Sequence, residues 1–259
     1  MNKIFDLSIS NYGTTRQHHY DVVILPWGAT EPHNYHLPYL TDCILSHDIA
    51  VDAAQRAFDK HGTYTMVMPP VTMGSQNPGQ RELPFCVHTR HETQKAILTD
   101  IVSSLHHQGY RKLLIVNGHG GNTFKSMIRD IITDYPDMLL MACEWFKFKK
   151  AKDYFDQPGD HADELETAVM MHYHPEWVNL SEAGDAQSNN FTIPALQNGS
   201  VWTPRNWGKV SKDTGIGNPS LATAEKGKRF AEDTVDSLAD FLHQLAEVKS
   251  ENDLYTNEI

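Results

Sequence analysis

Glu31, His33, His36 and Asp42 fall within one short segment broken by Gly28, Pro32 and Pro38, directly after the apolar run Val22-Val23-Ile24-Leu25. The run predicts a strand, so its polar sequel lies at the carboxyl end, where open α/β sheets gather ligands. Glu31 and His33 are two apart, and in an extended segment they project to one face. A mixed set of Glu, His and Asp donors suits zinc, manganese or iron better than an ion that prefers oxygen alone. With 15 histidines in the chain, one such grouping also arises by chance, and partners from elsewhere must complete a metal site.

Two further clusters could supply them. His119 sits in Asn117-Gly118-His119-Gly120-Gly121-Asn122, straight after the apolar run Leu113-Leu114-Ile115-Val116. The flanking glycines let the backbone turn tightly and leave the imidazole unobstructed. A Gly-rich turn between strand and helix also cradles phosphates, but the dinucleotide fingerprint needs a glycine where this chain has Thr123, and the phosphate-loop Gly-Lys-Ser/Thr pattern is missing. Glu144, at the end of the next expected strand, stands where a ribose-binding acid would, which keeps a nucleotide- or sugar-binding alternative open. The third cluster is Asp160-His161-Ala162-Asp163-Glu164-Leu165-Glu166. In one continuous helix Glu166 would lie roughly 140° around from His161, at ~3.6 residues per turn. The two converge only if His161 precedes the helix or the pocket wraps its end. The alternative is a solvated acidic helix N-terminus favoured by the macrodipole.

Alternating strands and helices must position these groups. A helix is expected from Thr41 or Asp42 to about Lys60, ended by Gly62, followed by a strand over Tyr64 to Met68. The breaker-rich stretch Met73 to Gln80 is long enough to fold over a pocket. Thr89 or Thr93 opens a second helix that Gly109 stops; after the strand Leu113 to Val116 come a helix through Phe124, Met127 and Ile131 and a strand from Met138 to Cys143. Beyond a Lys- and Asp-rich stretch, Ala162 to His172 reads as a helix, Pro194 to Pro219 as an irregular connection, and Leu221 to about Val248 as a long amphipathic helix capped by Ser220, with a polar tail from Ser250 to Ile259. The alternation implies a mainly parallel sheet covered on both faces, in one domain over residues 1–259. Of Trp145, Trp177, Trp202 and Trp207, all in or beside irregular regions, Trp145 is the one expected to wall a substrate pocket, because it ends a strand on the presumed active edge.

Composition narrows the function classes. A net charge of -11 counts against nucleic acid and against anionic membrane surfaces. The N-terminal residues lack an apolar leader and no run approaches the ~20 apolar residues of a membrane span. The expectation is a cytoplasmic protein acting on a small molecule. Cys43, Cys86 and Cys143 are widely spaced, which excludes a thiolate zinc motif and a disulfide framework.

Taken in order, Pro26-Trp27-Gly28-Ala29-Thr30-Glu31-Pro32-His33, His36-Leu37-Pro38, Thr41-Asp42, Asn117-Gly118-His119-Gly120-Gly121-Asn122, His161-Ala162 with Glu166-Thr167, and Gly217-Asn218-Pro219-Ser220 with Ala222 to Gly227 resemble the creatininase (creatinine amidohydrolase) family. The resemblance implies a three-layer α/β/α sandwich with two divalent metal ions at the carboxyl edge of its sheet, usually in a homo-oligomer, a hexamer. It implies hydrolysis of a C–N bond in a cyclic or related amide by metal-activated water. Position by position, Glu31 and His119 would bind one metal and His33 the other, Asp42 would bridge them, and His161 would be the catalytic histidine. Creatininase has a glutamate ligand where this chain has Gly121, and Glu166 is the expected replacement. Gly120, Gly121 and Trp145 are expected at the substrate. The segment Gln80 to His88 also departs from the family's usual Phe-Pro-Gly-Thr pattern. Both departures leave the substrate open, with a metal-dependent peptidase or deformylase, or a non-catalytic nucleotide or sugar binder, as alternatives.

Overall fold

The structure is a computed structural model that describes residues 3–256. The two apolar runs become its central strands, β1 (Val22–Trp27) and β3 (Lys112–Asn117), flanked by β2 (Thr65–Val67) and β4 (Leu139–Glu144) in the order β2-β1-β3-β4. All pairings are parallel, with Trp27 opposite Asn117 and Asn117 opposite Glu144 at the carboxyl ends. The helices are α1 (Tyr12–Thr15), α2 (Thr41–His61), α3 (His91–His107), α4 (Lys125–Asp134), α5 (Glu164–Tyr173), α6 (Pro194–Gln197), α7 (Trp207–Val210) and α8 (Ala224–Glu247).

Why the central runs are apolar throughout is visible in their alternation, since a parallel strand buried on both faces has no polar side. Val22, Ile24, Leu114 and Val116 point to one face, where they pack with Ile49 and Ala53 of α2, Val169 of α5 and Phe230, Val235 and Leu238 of α8. Val23, Leu25, Trp27, Leu113 and Ile115 point to the other, against Leu98 and Val102 of α3 and Met127 and Ile131 of α4. The result is the expected α/β/α sandwich. From β1 the chain passes to β2 on one side, then crosses back to β3 on the other. The loops leaving β1 and β3 therefore diverge, opening the crevice at a topological switch point where such sheets bind ligands. At the outer edge, Val67 N donates to Phe5 O (2.8 Å) and Leu7 N to Val67 O (2.9 Å), so the N-terminal segment covers β2.

Several boundaries differ from expectation. Gly62 (φ 72°) and Gly109 (φ 94°) stop α2 and α3 as read. Thr41 and Asp42 do not cap α2, however: Leu40 precedes it, Thr41 Oγ1 donates to Pro38 O (2.7 Å), and the Asp42 carboxylate is left free for the site. α3 opens after Arg90. Thr223, not Ser220, caps α8, its Oγ1 accepting from Lys226 N at 3.2 Å, because Pro219–Leu221 is taken up by a separate 3-10 turn. In the tail, Glu251–Leu254 forms a 3-10 turn, and residues 257–259 lie outside the described residues. No helix among the described residues is long and apolar enough to cross a membrane.

Candidate metal centre

The start of α2 is wedged between two glycine turns. A Cβ on Gly28, after β1, would meet Cys43 N at 2.6 Å, and one on Gly118, after β3, would meet Asp42 O at 2.3 Å. Only glycine allows this approach, and it brings Asp42 up to both Glu31 and His119. The neighbouring asparagines lock the β3 turn. Asn117 Oδ1 accepts from His119 N (3.2 Å) and its Nδ2 donates to His119 O (2.8 Å), while Asn122 Nδ2 donates to Gly28 O (3.2 Å). From the third segment, His161 stands before α5 rather than in it. It pairs with Ile216 through both backbone hydrogen bonds, and the left-handed backbone of Ala162 (φ 49°) turns the chain into the helix. Asp163 Oδ1 then caps α5 by accepting from Glu166 N (3.0 Å). His161 preceding the helix is the condition under which it and Glu166 can share a site.

All five expected ligands and His161 converge and are buried, apart from the half-buried Glu166. His119 Nδ1 lies 2.8 Å from Glu31 Oε1 and 3.1 Å from Asp42 Oδ2. His33 Nε2 lies 3.1 Å from Asp42 Oδ1 and 4.0 Å from Glu166 Oε2. His161 Nδ1 is 3.7 Å from Glu31 Oε1. Ligand atoms of Glu31, Asp42 and His119, and of His33, Asp42 and Glu166, lie within 4.8 Å of one another, as do those of Glu31, His33 and His161. The first two sets share Asp42, one oxygen to each.

Each imidazole has one nitrogen committed to a backbone carbonyl. His119 Nε2 donates to Ser75 O (2.7 Å), His33 Nδ1 to Glu31 O (3.1 Å) and His161 Nε2 to Pro32 O (2.9 Å). A carbonyl only accepts, so these nitrogens carry the protons, and in the neutral ring the other nitrogen turns a lone pair toward carboxylate oxygens. Lone pairs facing lone pairs repel unless a proton or a cation lies between them. Buried Asp42 Oδ2 stands 3.1 Å from His119 Nδ1 without a well-aligned hydrogen bond, an oxygen that a cation could engage. Two ligands on one tetrahedral zinc stand roughly 3.3 Å apart, within the spread of these separations. The donor set would suit two divalent cations, Asp42 presenting one oxygen toward each cradle and each histidine held from behind in the manner of metal-ligating imidazoles.

Electrostatics in the absence of cations agree. Burial opposes charge on His33, but Asp42, Glu166 and Glu31 outweigh it and lift the imidazole to about 10. His119 is likewise raised, burial being outweighed by Glu31 and Asp42. Burial would raise Asp42 and Glu31, yet their histidine neighbours pull both below the usual carboxylate range. Glu166 goes the other way, pushed up to about 8 by burial and then by Asp42 and Asp163, against the pull of His33. His161 is lowered by burial and by His33, which keeps its ring neutral.

Of the expected substrate contacts, Gly120 is exposed and Gly121 half-buried. A Cβ on Gly121 would meet Ser75 O at 2.3 Å and His119 Nε2 at 2.5 Å, so no side chain fits there without moving the loop. Trp145 corrects the expectation. It is 1% exposed and packs against Phe146 and Phe230 in the core, because the chain turns inward into a 3-10 turn as soon as β4 ends. The tryptophan at the site is Trp207, edge-on to His161 with ring centroids 5.4 Å apart. Sequence reasoning also missed Ser75 and Gln80, whose amide Nε2 donates to Glu31 Oε2 (2.7 Å). The breaker-rich loop was the available signal.

A parallel α/β/α sandwich with paired cation cradles at its switch point defines a metal-dependent amidohydrolase. The chain belongs to the creatininase family, described as creatinine amidohydrolase, which it matches over residues 7–242. It is similar to a putative creatinine amidohydrolase of known structure from Bacteroides fragilis, with 58% identity and a TM-score of 0.96 over 99% of this chain and 100% of that one. The mycofactocin precursor peptide peptidase of Mycobacterium ulcerans is 28% identical over 83% of this chain and 81% of its own. The creatinine amidohydrolase of Pseudomonas putida is 22% identical over 86% and 89%.

Proposed function

We propose that the protein hydrolyses the C–N bond of an open-chain amide, a peptide or a formamide, with Glu31, Asp42 and His119 holding one divalent cation, His33, Asp42 and Glu166 the other, and His161 as the proton carrier. The observation that carries the metal reading is the sharing of Asp42 by two cradles whose histidines are each fixed by a backbone carbonyl. Two features favour an open-chain amide over creatinine. Gly121 stands where creatininase has a ligand glutamate, with no room for a side chain as the loop now lies. The similarity to the Mycobacterium ulcerans peptidase, at 28%, also exceeds that to the Pseudomonas putida creatinine amidohydrolase, at 22%, while the 58% identical Bacteroides fragilis protein carries that activity only as a putative one.

Bound cations supply Lewis acidity to a carbonyl oxygen and make water a nucleophile near neutral pH. The chain's own residues do the rest. With Nε2 committed to Pro32 O, His161 has only Nδ1 free. Nδ1 accepts a proton from the attacking water and returns it to the leaving nitrogen, a role suited to a ring kept neutral by burial. Trp207, 4% exposed, packs edge-on against that ring and holds its plane. Glu31 and Asp42, held ionised, keep the negative charge that two cations require.

One domain carries this chemistry, in a homo-oligomer of the family's hexameric kind and a cytoplasmic setting. The test is a hydrolysis screen of Zn- and Mn-loaded protein against N-formyl amides, short peptides, creatinine and other cyclic amides. Turnover of formamides or peptides above the cyclic amides is the expected result; creatinine as the best substrate would overturn the reading. Light scattering tests the assembly.

A further inference from the structure

The loop from Gly74 to Thr89 supports one of the two cradles and leaves the other alone. Its ends are tied where Thr89 N donates to Gly74 O (2.8 Å), and its tip is docked where Trp207 N donates to Pro78 O (2.6 Å). From this closed loop the Ser75 carbonyl fixes the His119 ring at 2.7 Å, and the Gln80 amide donates to Glu31 Oε2 at 2.7 Å. Gln80 is 1% exposed, and its Oε1 accepts from Asn77 N (2.7 Å), which orients the amide with its nitrogen toward Glu31. That bond occupies the outer oxygen of Glu31 and leaves Oε1 to face His119. In the other cradle, His33 is held by Glu31 O and Glu166 Oε2 accepts from Ala162 N (2.6 Å). Among the described residues no hydrogen bond from the loop reaches either of them.

We propose that Gln80 is a positioning residue for a single cation: by pinning Glu31 in one-oxygen presentation it sets the affinity of the Glu31–Asp42–His119 cradle, and the loop thereby makes the two metal positions unequal. The inference rests on the binuclear reading given under Proposed function. Outer partners of metal ligands typically govern affinity by about 10–100-fold. A substitution at Gln80 therefore weakens one cation by that factor and spares the other.

The test is calorimetric titration of Mn2+ into chelator-stripped full-length protein. Two variants remove the donor: Gln80→Met keeps the volume, and Gln80→Leu removes the amide in a shorter side chain. Circular dichroism confirms folding, and either folded variant suffices. Wild type is expected to bind two Mn2+, each Gln80 variant to lose about 10–100-fold at one site only, and Glu166→Gln to weaken the other. Gln80→Met combined with Glu166→Gln should then bind neither ion tightly. Two Mn2+ in wild type, with both sites weakened equally by Gln80 substitution, or with neither changed, overturns the inference alone. Retention of one tight ion in the double variant overturns it too, since both changes would then act on the same site. Wild type that takes up no Mn2+ overturns the binuclear reading and this inference together.

Discussion

Replacing Gly118 by alanine perturbs the joint on which the site turns. The added Cβ would stand 2.3 Å from Asp42 O, whereas ordinary contact begins at 3.4 Å, a shortfall of about 1.1 Å against a backbone atom that cannot swing aside. The β3 turn and the start of α2 must move apart by that distance. Such overpacking costs about 1–3 kcal/mol, and at roughly 2–4 °C per kcal/mol for a chain of this size the melting temperature falls by roughly 2–12 °C. The same displacement separates His119 Nδ1 from Asp42 Oδ2, now 3.1 Å apart. Metal–ligand distances tolerate only about 0.2 Å, so cation affinity should fall by at least about 10-fold. Scanning calorimetry in excess chelator gives the first number, and Mn2+ titration the second. Gly120→Ala, whose Cβ would meet nothing within 4 Å, serves as the control for both. If Gly118→Ala melts within a degree of wild type and takes up Mn2+ unchanged, the packing argument for how Asp42 reaches His119 is wrong.

Other expectations follow from the same geometry. His161→Ala should lower turnover about 10²–10⁴-fold while both cations stay bound, as steady-state kinetics beside metal analysis will tell. Gly227→Ala should destabilise the fold with little effect on the site, because its Cβ would press to within 1.9 Å of Ala168 O where α8 crosses α5; the melting temperature of stripped protein reads this directly. His47 links α2 to the N-terminal segment through Asp6 (3.1 Å). Burial opposes its charge, but Asp48 and Asp6 prevail and raise it above its ordinary value of 6.5. Its contribution to stability is thus fully present below that value and is lost as pH rises through the raised one. His47→Gln should therefore lower the melting temperature at pH 6 and have less effect at pH 9, and equal losses at both would contradict the assignment.

The residues proposed to hold cations are legible in the sequence because their donor atoms are rare in combination and sit straight after apolar runs. Two-sided burial made Val22 to Leu25 and Leu113 to Val116 central strands, and parallel pairing then put Glu31, His33 and His119 on one edge. Glu166 was reachable once Gly121 ruled out the family's usual ligand. What supports these residues was hidden for a physical reason. Gln80 and Ser75 act through an amide and a carbonyl that have no chemistry of their own, and across 49 and 44 residues only the folded loop shows what they touch. Trp145 reads as a site residue because it ends a strand on the active edge, whereas the chain there packs it into the core against Phe230. The cap of α8 lies three residues beyond the expected Ser220 because Ser220 and Thr223 are both good capping types, and it is the turn at Pro219–Leu221 that decides between them.

The most direct measurement is the metal content of chelator-stripped, Zn-reconstituted protein, wild type beside Asp42→Asn, by plasma mass spectrometry after desalting. Because Asp42 offers one oxygen to each cradle, two cations per chain in wild type and loss of both in the variant are expected. Wild type without stoichiometric metal, or a variant that keeps both ions, would contradict the shared-carboxylate centre.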